Sequence, residues 1–333
     1  MAGRRTNLAL LVALVVAMGT GVAAFAVGTA SGRAVVVAHG MAGIAVVLLS
    51  PWKQQIVRRG LRRSHRGHRA GLALLALITL TVAAGVAHAA GVTPPGGVTA
   101  MQLHVGAALL AIIPAVWHVV TRPTRLRRAD LGRRAAVRAG ALTLGAGVAW
   151  RAAEGLYVLG DVAPRRFTGS HERGSDEPER MPVTQWMFDV VPDIPPDGWS
   201  VTIDVPPSPP QRLSLDDLRA LPVTLSRVVL DCTGGWYARQ TWSGVALSAL
   251  IPADAGRRVV VTSHTGYARA FPLGSVGDLL LALDMAGAPL SAGHGAPARL
   301  VAPGRRGFWW VKWVTRISVD DVPPWVQPPF PAQ

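Results

Sequence analysis

The segment LDCTGGWYARQTWSGV, residues 230 to 245, contains the only cysteine of the 333-residue chain. A thiolate is a soft ligand that suits a soft or highly oxidised metal centre. One thiolate cannot hold zinc or an iron–sulfur cluster, because these need several protein ligands. Cys232 can therefore bind a metal only where a cofactor supplies the other ligands, and the glycines that follow would let a bulky cofactor approach the backbone. Without such a motif, a lone cysteine is more often an inert buried apolar residue.

This segment and a second one downstream resemble a known enzyme family. LDCTGGWYARQTWSGVALSALI is similar to the metal-ligand segment of sulfite-oxidase-type molybdenum enzymes, in which one cysteine binds molybdenum and a molybdopterin supplies two further sulfurs. A W-x-G-V-x-L pattern follows in that family and is matched by residues 242–247. LSAGHGAPARLVAPGRRGFWWVKWVTRISV resembles the family's pterin-binding stretch. The family includes sulfite oxidases, plant nitrate reductases and a bacterial periplasmic methionine sulfoxide reductase.

The resemblance implies roles for individual residues. It makes Cys232 the molybdenum ligand and places Tyr267 near the metal pocket, so both are predicted to be catalytic. It assigns cofactor binding to Arg166, Phe167, Thr168, Thr233, Gly234, His294, Arg299, Gly307, Phe308 and Lys312. Of these, His294, Arg299 and Lys312 should contact the pterin or its phosphate. Trp309 departs from the pattern, because a further basic residue is often expected at that position.

The N-terminal part of the chain has the composition of a membrane domain. Residues 1–129 contain no Asp or Glu and hold long runs of Ala, Val and Leu. Four apolar stretches come close to the ~20 residues that a helix needs to cross a bilayer. They lie near 8–29, 35–51, 71–90 and 101–120, and Trp52 and Lys53 could end the second at the interface. Membrane lipid is thus the first predicted partner.

The net charge of +15 is confined to the region of these stretches. Residues 1–138 hold 17 Lys or Arg and one acid, Asp130, for a net charge of +16, whereas residues 139–333 have a net charge of −1. This distribution argues against nucleic-acid binding and for a role in setting membrane orientation. The two loops richest in Lys and Arg, WKQQIVRRGLRRSHRGHR and RPTRLRRADLGRRAAVR, are predicted to be cytoplasmic together with the N-terminus.

A weaker fifth apolar segment begins at Ala139 and is interrupted by Arg151 and Glu154. The pair Arg133-Arg134 precedes it, and a twin arginine before a mildly apolar run resembles a Tat export signal, which carries folded proteins across a membrane. A fifth crossing would place everything after about residue 160 on the extracytoplasmic side of the cell membrane. The sequence therefore predicts a multi-pass protein with an exported folded domain.

Histidines in the apolar stretches are candidate haem ligands. His39 and His104 begin the second and fourth stretches, at similar predicted depth near the outer face. His118 follows His104 by 14 residues, about 21 Å along a helix and ~40° from the same direction, which resembles the diheme membrane cytochromes b. An outer haem b between His39 and His104 is expected, with His88 as the substitute ligand. An inner haem on His118 would need His65 or His68 and is less well supported.

From residue 165 the chain becomes Pro-rich and mixed in charge, and it predicts an α+β fold. The segments WSVTIDV, TLSRVVL, RRVVVTS, ARLVAP and VKWVTRISV are predicted strands. The segments SLDDLRAL (with Ser214 as N-cap), WSGVALSALI and SVGDLLLALDMAG are predicted short helices. The predicted architecture is a transmembrane helical bundle over 1–160, of about five spans, and a sulfite-oxidase-type molybdopterin-binding domain over 161–333.

Together these features predict a membrane-anchored molybdopterin-dependent oxidoreductase. It would perform oxygen-atom or two-electron transfer on a small substrate, such as a sulfoxide, sulfite or another oxyanion. Electrons would pass through the membrane domain to or from quinone or another carrier. Two alternatives stay open: the second domain is a cofactor-less binding module, or the bundle is only an anchor and electrons come from a separate partner.

Overall fold

The computed structural model describes residues 2–61, 68–92, 98–124, 126–130, 132–160, 162–186, 189–328 and 330. The chain divides into two compact units, Met1–His171 and Glu172–Gln333, named here the helical unit and the β unit. The sequence placed this division at residue 160, before the segment that the structure assigns to the end of the helical unit.

The helical unit consists of five long helices. They are α1 (Ala2–Ala26), α2 (Gly32–Leu61), α3 (His68–Ala89), α4 (Ala100–Thr121) and α5 (Arg133–Leu159). Helices α1 to α4 contain segments that are long and apolar enough to cross a membrane, so the four predicted apolar stretches form helices that could span one. Helix α2 continues past Trp52 and Lys53 to Leu61, and the predicted interface at these two residues stays a prediction. Helix α5 has the expected position but is not among the four, so its crossing of a membrane stays a prediction.

Small side chains allow these helices to pack closely. Helix α1 packs along α2, and α3 packs along α4. A small core is formed by Ala13, Ala45, Val46 and Ala146. Large apolar side chains such as Ile113 and Val120 instead point outward and are mostly exposed. Small residues between helices and large apolar residues outside them are typical of helices surrounded by lipid.

Eleven strands are described, ten of them entirely in the β unit. They are β1 (His171–Glu172, at the unit boundary), β2 (Ser200–Asp204), β3 (Gln211–Ser214), β4 (Thr224–Asp231), β5 (Trp236–Ala246), β6 (Arg258–Ser263), β7 (Ala268–Pro272), β8 (Leu280–Met285), β9 (Ala288–Pro289), β10 (Arg299–Val301) and β11 (Val314–Asp320). In one sheet β5 pairs with β4 and β8, and β8 pairs with β9 and β10. The other sheet has the order β3-β2-β11-β6-β7. Neighbouring strands are antiparallel apart from β2 and β11, which are parallel.

All five predicted strand segments are confirmed, as is the helix at SLDDLRAL. That helix, α6 (Leu215–Arg219), begins with a capping box in which Ser214 and Asp217 bond reciprocally. The other two predicted helices are wrong. WSGVALSALI belongs to β5 and a 3₁₀ turn at Leu247–Ala249, and SVGDLLLALDMAG forms a 3₁₀ turn followed by β8. Five of the six residues of β8 are buried, and a strand that is covered on both faces shows an unbroken apolar run without the alternation that identifies strands.

Candidate active site

Cys232 lies in the tight turn that joins β4 to β5. Its backbone N–H donates to the carbonyl of Trp236 (2.8 Å), and the N–H of Gly235 donates back to the carbonyl of Cys232 (3.2 Å). Gly235 has a φ of 88°, a left-handed conformation that glycine adopts without strain. The N–H of Gly234 donates to the Cys232 sulfur (3.3 Å). The thiol is only 8% exposed, and this burial raises its pKa.

A buried ion pair supports this turn. Arg306 donates to the carboxylate of Asp231 at 2.5 Å, and both side chains are 4% exposed. The same guanidinium donates to the backbone carbonyl of Cys232 (3.2 Å). Neither residue is among those predicted from the sequence, although Asp231 precedes the cysteine and Arg306 lies within the second motif. Their pairing fixes the backbone on which the thiol is carried.

A cavity within the β unit brings most of the predicted site residues together. It holds about 680 Å³ of empty space, open solvent at its mouth included. Predicted residues in its wall are Cys232, Thr233, Tyr267, His294, Arg299, Gly307, Phe308 and Lys312. Residues that the sequence did not single out also line it, among them Thr184, Gln185, Trp186 and Asp189. All four of these lie within 182–189, ahead of the cysteine motif in the chain.

Arg299 is a buried cation in this wall. It is 2% exposed, its guanidinium lies 4.9 Å from the ring of Trp242 and 5.6 Å from that of Trp310, and it donates to the carbonyl of His294 (2.9 Å). Its Nε has no hydrogen-bond partner among the described residues. Burial lowers the pKa of Arg299 to about 9. A buried guanidinium with unused donor capacity is suited to an anionic ligand.

Lys312 is a second cation of this wall and is partly buried. Its ammonium donates to the carbonyls of Thr184 (2.9 Å) and Gly293 (2.6 Å). Burial, and then the positive charge of Arg299, lower the pKa of Lys312 to about 7, while Cys232 and Asp189 act in the opposite direction. Among the described residues neither Arg299 nor Lys312 has a carboxylate within ion-pair distance. The wall therefore carries positive charge that an anion would stabilise.

His294 is held between two protein groups. Its Nδ1 pairs with the hydroxyl of Ser291 (2.9 Å), and its Nε2 pairs with the carbonyl of Met181 (3.2 Å). The Nε2 must carry the proton in this arrangement, since a carbonyl only accepts. Burial, followed by the charges of Arg299 and Lys312, lowers the pKa of His294 to about 4, so the ring is neutral near pH 7. Because both nitrogens are occupied, His294 suits a positioning role more than metal ligation.

Aromatic rings form one side of the cavity. The hydroxyl of Tyr267 donates to the carbonyl of Phe308, and burial raises the pKa of this phenol. The ring of Trp186 lies 6.4 Å from that of Tyr267 and 5.8 Å from that of Phe308, between centroids. Trp309 lies outside the wall and stacks with Arg269, whose guanidinium carbon is 4.0 Å from the ring centroid. At the position where the family often has a further basic residue, this chain therefore has a tryptophan that packs on Arg269.

These groups fit an anionic, sulfur-bearing metal cofactor. A single soft thiol faces the cavity, and two cations without carboxylate partners among the described residues, buried Arg299 and partly buried Lys312, line the same space. The thiol can supply one metal ligand, while the cations can bind a phosphate. Zinc would need more protein ligands, and the described residues contain no cluster of three or more His, Cys, Asp or Glu that could hold a metal ion.

Three predicted cofactor residues lie elsewhere. Arg166, Phe167 and Thr168 belong to the helical unit and do not line the cavity of the β unit. Arg166 stacks on Phe167, 4.8 Å from its ring centroid, and Thr168 is buried with its hydroxyl near that of Ser170. Their predicted contact with the cofactor stays a prediction.

Two pairs of histidines lie close together in the helical unit. The rings of His39 and His104 lie 5.7 Å apart between centroids, and the Nδ1 of each bonds a backbone carbonyl, that of Ala17 (2.9 Å) or Thr81 (2.8 Å). His88 instead pairs with His171, at 5.2 Å. In the described part of the chain His118 has no histidine partner, while His65 and the side chain of His68 lie outside the described residues.

Comparison with known proteins shows what the β unit is similar to. Residues 188–325 match the family model of the oxidoreductase molybdopterin binding domain. The chain is 30% identical to mitochondrial sulfite oxidase of Rattus norvegicus over 167 residues, which covers 39% of this chain and 30% of the rat protein. The human enzyme matches equally, and that of Drosophila melanogaster is 30% identical over 146 residues. Residues 188–325 form a sulfite-oxidase-type molybdopterin-binding domain.

The likeness does not extend over these relatives as a whole. The match to the molybdopterin-binding domain spans less than a third of the length of each of these sulfite oxidases. A solved structure, the sulfane dehydrogenase SoxCD of Paracoccus pantotrophus, is 27% identical over 40% of each chain, with a TM-score of 0.37. The domain belongs to an oxidoreductase family, whereas the activity of the whole chain has to be argued from its own residues.

Proposed function

We propose that the protein is a membrane-anchored molybdopterin-dependent oxidoreductase in which the thiolate of Cys232 binds molybdenum. The observation that carries this proposal is the combination of one buried thiol with one buried and one partly buried cation that lack carboxylate partners among the described residues, all lining one cavity. Such an arrangement is costly for a protein that binds nothing there, because the cations are desolvated without compensation.

Each residue of the site has a specific task in this proposal. Arg299 and Lys312 bind the phosphate and pterin, and neutral His294 keeps the chain between them in place. The N–H of Gly234 donates to the thiolate, and Tyr267, fixed on the carbonyl of Phe308, limits the space beside it. The bound cofactor supplies two-electron oxygen-atom transfer to or from a small substrate such as a sulfoxide, sulfite or another oxyanion. The protein shapes the pocket and excludes water.

The proposal is tested by metal content and turnover of Cys232→Ser. The wild-type chain, purified from a host that makes molybdopterin, should contain stoichiometric molybdenum and turn over sulfite, methionine sulfoxide or nitrate without oxygen. Cys232→Ser should lose more than about 99% of that turnover, because a hydroxyl is a poor ligand for a soft centre. Ser226→Ala, on the strand β4 that leads into the cysteine turn but outside the cavity, is the control. If the wild-type chain folded without molybdenum, the alternative that the second domain is a cofactor-less binding module would be the one left.

We propose further that the helical unit exchanges electrons with the cofactor through haem b held by His39 and His104. The support is their closeness and the backbone carbonyl on each Nδ1, an arrangement that orients imidazole for metal binding through Nε2. Two imidazoles would hold one haem iron only if their rings lay as close together as these. Quinone or another membrane carrier would be the electron partner.

A reduced-minus-oxidised absorption spectrum tests the haem. The wild-type protein should show the bands of haem b, and His39→Ala or His104→Ala should abolish them. His264→Ala, an exposed histidine of the β unit, should leave them unchanged. His118→Ala reports on a second haem, since it would halve the signal if two were bound. A chain without these bands would make the bundle a plain anchor.

We also propose that the β unit lies on the extracytoplasmic side of the cell membrane and is exported folded, after cofactor insertion. The support is the concentration of Lys and Arg around the first four spans and the Arg133-Arg134 pair, both exposed, at the start of α5.

A further inference from the structure

Thr184 is a residue of the cavity wall that contacts the cysteine turn through its side chain. It is partly buried and precedes that turn in the chain. Its backbone carbonyl accepts a hydrogen bond from the ammonium of Lys312 (2.9 Å), which also donates to the carbonyl of Gly293 (2.6 Å). Lys312 thereby links the backbone of Thr184 to the opposite segment of the wall, and the Thr184 side chain starts from a fixed position.

The indole of Trp236 fixes the direction of the Thr184 hydroxyl. Its Nε1–H donates to the Thr184 Oγ1 at 3.1 Å. An indole N–H can only donate, so the hydroxyl oxygen is the acceptor in this bond and its own hydrogen points elsewhere. Trp236 is buried and is bonded to the cysteine as well, because its backbone carbonyl accepts the N–H of Cys232 (2.8 Å).

The Cys232 sulfur and the indole nitrogen lie close together across Gly234. A Cβ atom at Gly234 would be 3.5 Å from the sulfur and 3.6 Å from the Nε1 of Trp236. The hydroxyl that accepts from this nitrogen is therefore next to the sulfur, in the same wall of the cavity.

The hydroxyl of Thr184 forms its second hydrogen bond with the Cys232 sulfur. Burial raises the pKa of the thiol, whereas the N–H of Gly234, the charge of Arg306 and the side-chain hydrogen bond of Thr184 act in the opposite direction. A hydrogen bond acts in that direction when it is donated to the sulfur, because it then favours the charged form. A sulfur that has given up its proton to bind a metal can only accept, so Thr184 is the donor.

We propose that Thr184 is a positioning residue for the metal-binding thiolate, and that its hydroxyl, oriented by the indole of Trp236, raises the reduction potential of the metal bound to Cys232. This inference rests on the proposed function of the same site. A hydrogen bond to a ligand sulfur stabilises negative charge on it and so favours the reduced metal. The N–H of Gly234 makes a bond of the same kind from the backbone, at 3.3 Å, which side-chain substitutions at Thr184 leave in place.

The reduction potential of the metal in Thr184→Val tests the hydrogen bond. Valine has nearly the shape of threonine and lacks the hydroxyl. In a redox titration of the molybdenum-loaded full chain, followed by EPR spectroscopy of the metal, we expect the ratio of reduced to oxidised metal at a fixed applied potential to fall about tenfold, which is about 59 mV for a one-electron couple. Thr184→Ser keeps the hydroxyl and should retain the potential of the wild type. Thr224→Val, at an exposed position of β4 outside the cavity, is the matched control.

Trp236→Phe tests whether the indole orients the hydroxyl. It leaves Thr184 in place and removes the N–H donor, so the potential should shift in the same direction as in Thr184→Val but by less. The potential is read from the molybdenum-loaded fraction alone, so partial loading of a variant does not obscure the result. If Thr184→Val does not bind molybdenum, the comparison of Trp236→Phe with the wild type decides.

Two results would overturn this inference and leave the proposed function intact. One is an unchanged potential in molybdenum-loaded Thr184→Val, or in Trp236→Phe where that variant decides. The other is an equal shift in Thr184→Val and Thr184→Ser, which would trace the effect to packing and not to the hydroxyl. Absence of molybdenum from the wild-type protein would overturn both the inference and the proposed function.

Discussion

At the scale of single residues, the candidate site depends on charges that are compensated in different ways. Asp231 and Arg306 compensate each other inside the protein, so the turn that carries Cys232 is held by a closed pair. Arg299 and Lys312 have no carboxylate partner among the described residues. The pair of Asp231 and Arg306 stabilises the turn. Arg299 and Lys312 can instead bind an anion, because only cations without a carboxylate partner are stabilised by one.

Removing one member of the buried pair should destabilise the β unit strongly. Arg306→Met removes the guanidinium that pairs with the buried carboxylate of Asp231, which costs about 3–5 kcal/mol. Arg227→Met is the matched control, because Arg227 pairs with Asp176 at the surface, where both side chains are more than half exposed and the loss is under about 1 kcal/mol. Urea denaturation followed by tryptophan fluorescence measures both. Equal losses in the two variants would show that the buried pair has no special role.

Lys312 makes the stability of the cofactor-free protein depend on pH. Its pKa is about 7 in the folded protein, because of burial and Arg299, and near the usual lysine value in the unfolded chain. Between these values the unfolded chain binds more protons, so stability rises with pH across that window. Lys312→Met removes this rise, and its gain in Tm over wild type should therefore be larger at pH 6 than at pH 10. Arg239→Met, at an exposed position, is the control.

The residues of the site were predictable where the motif itself contains them. Cys232, His294, Arg299 and Lys312 lie in two separated segments, and the structure places all four in one cavity wall. Asp189 could not be found in this way, because an acid in a Pro-rich segment has no distinguishing neighbours in the sequence. The partnership of Arg306 with Asp231 was equally hidden, since the two residues are 75 positions apart. Such contacts arise only from the tertiary fold.

At the scale of elements, strand β5 follows the cysteine turn directly and pairs with β8. Gly244 lies in β5 where the register with β8 shifts, and a Cβ atom there would come within 2.1 Å of the carbonyl oxygen of Leu281. The strands can approach so closely only because Gly244 has no side chain. The sequence identified WSGV as part of a motif but predicted a helix, because Leu-rich apolar runs fit a buried strand and a buried helix equally well.

Gly244→Ala should therefore disrupt the β unit. A Cβ at that distance clashes with backbone atoms of β8, which cannot move as a side chain can, so the loss should exceed about 4 kcal/mol, at the severe end of the range for point mutations. Gly274→Ala provides the control, because nothing lies within 4 Å of its Cβ position. The yield of folded protein and its Tm measure the effect. A Gly244→Ala chain of normal Tm would mean that the two strands are not so close in solution.

At the scale of the whole molecule, the excess positive charge and the apolar helices lie in the same N-terminal part of the chain. The excess of Lys and Arg ends at residue 138, just inside α5, and the four helices that could cross a membrane all precede it. Periodicity and length alone were enough to predict those helices, because a bilayer imposes an apolar run of fixed length. The strand order of the β unit was beyond such reasoning, since it depends on pairings between distant segments.

The Arg133-Arg134 pair offers a test of how the β unit reaches the outer side. Replacing both by lysine keeps the positive charge that orients the spans and changes only the side chain that an export receptor reads. We expect the fraction of the β unit that added protease can reach in spheroplasts to fall several-fold. Arg127→Lys with Arg128→Lys, an exposed pair just upstream, should leave it unchanged. Full accessibility in both double variants would mean that the chain crosses unfolded, which is incompatible with cofactor insertion before export.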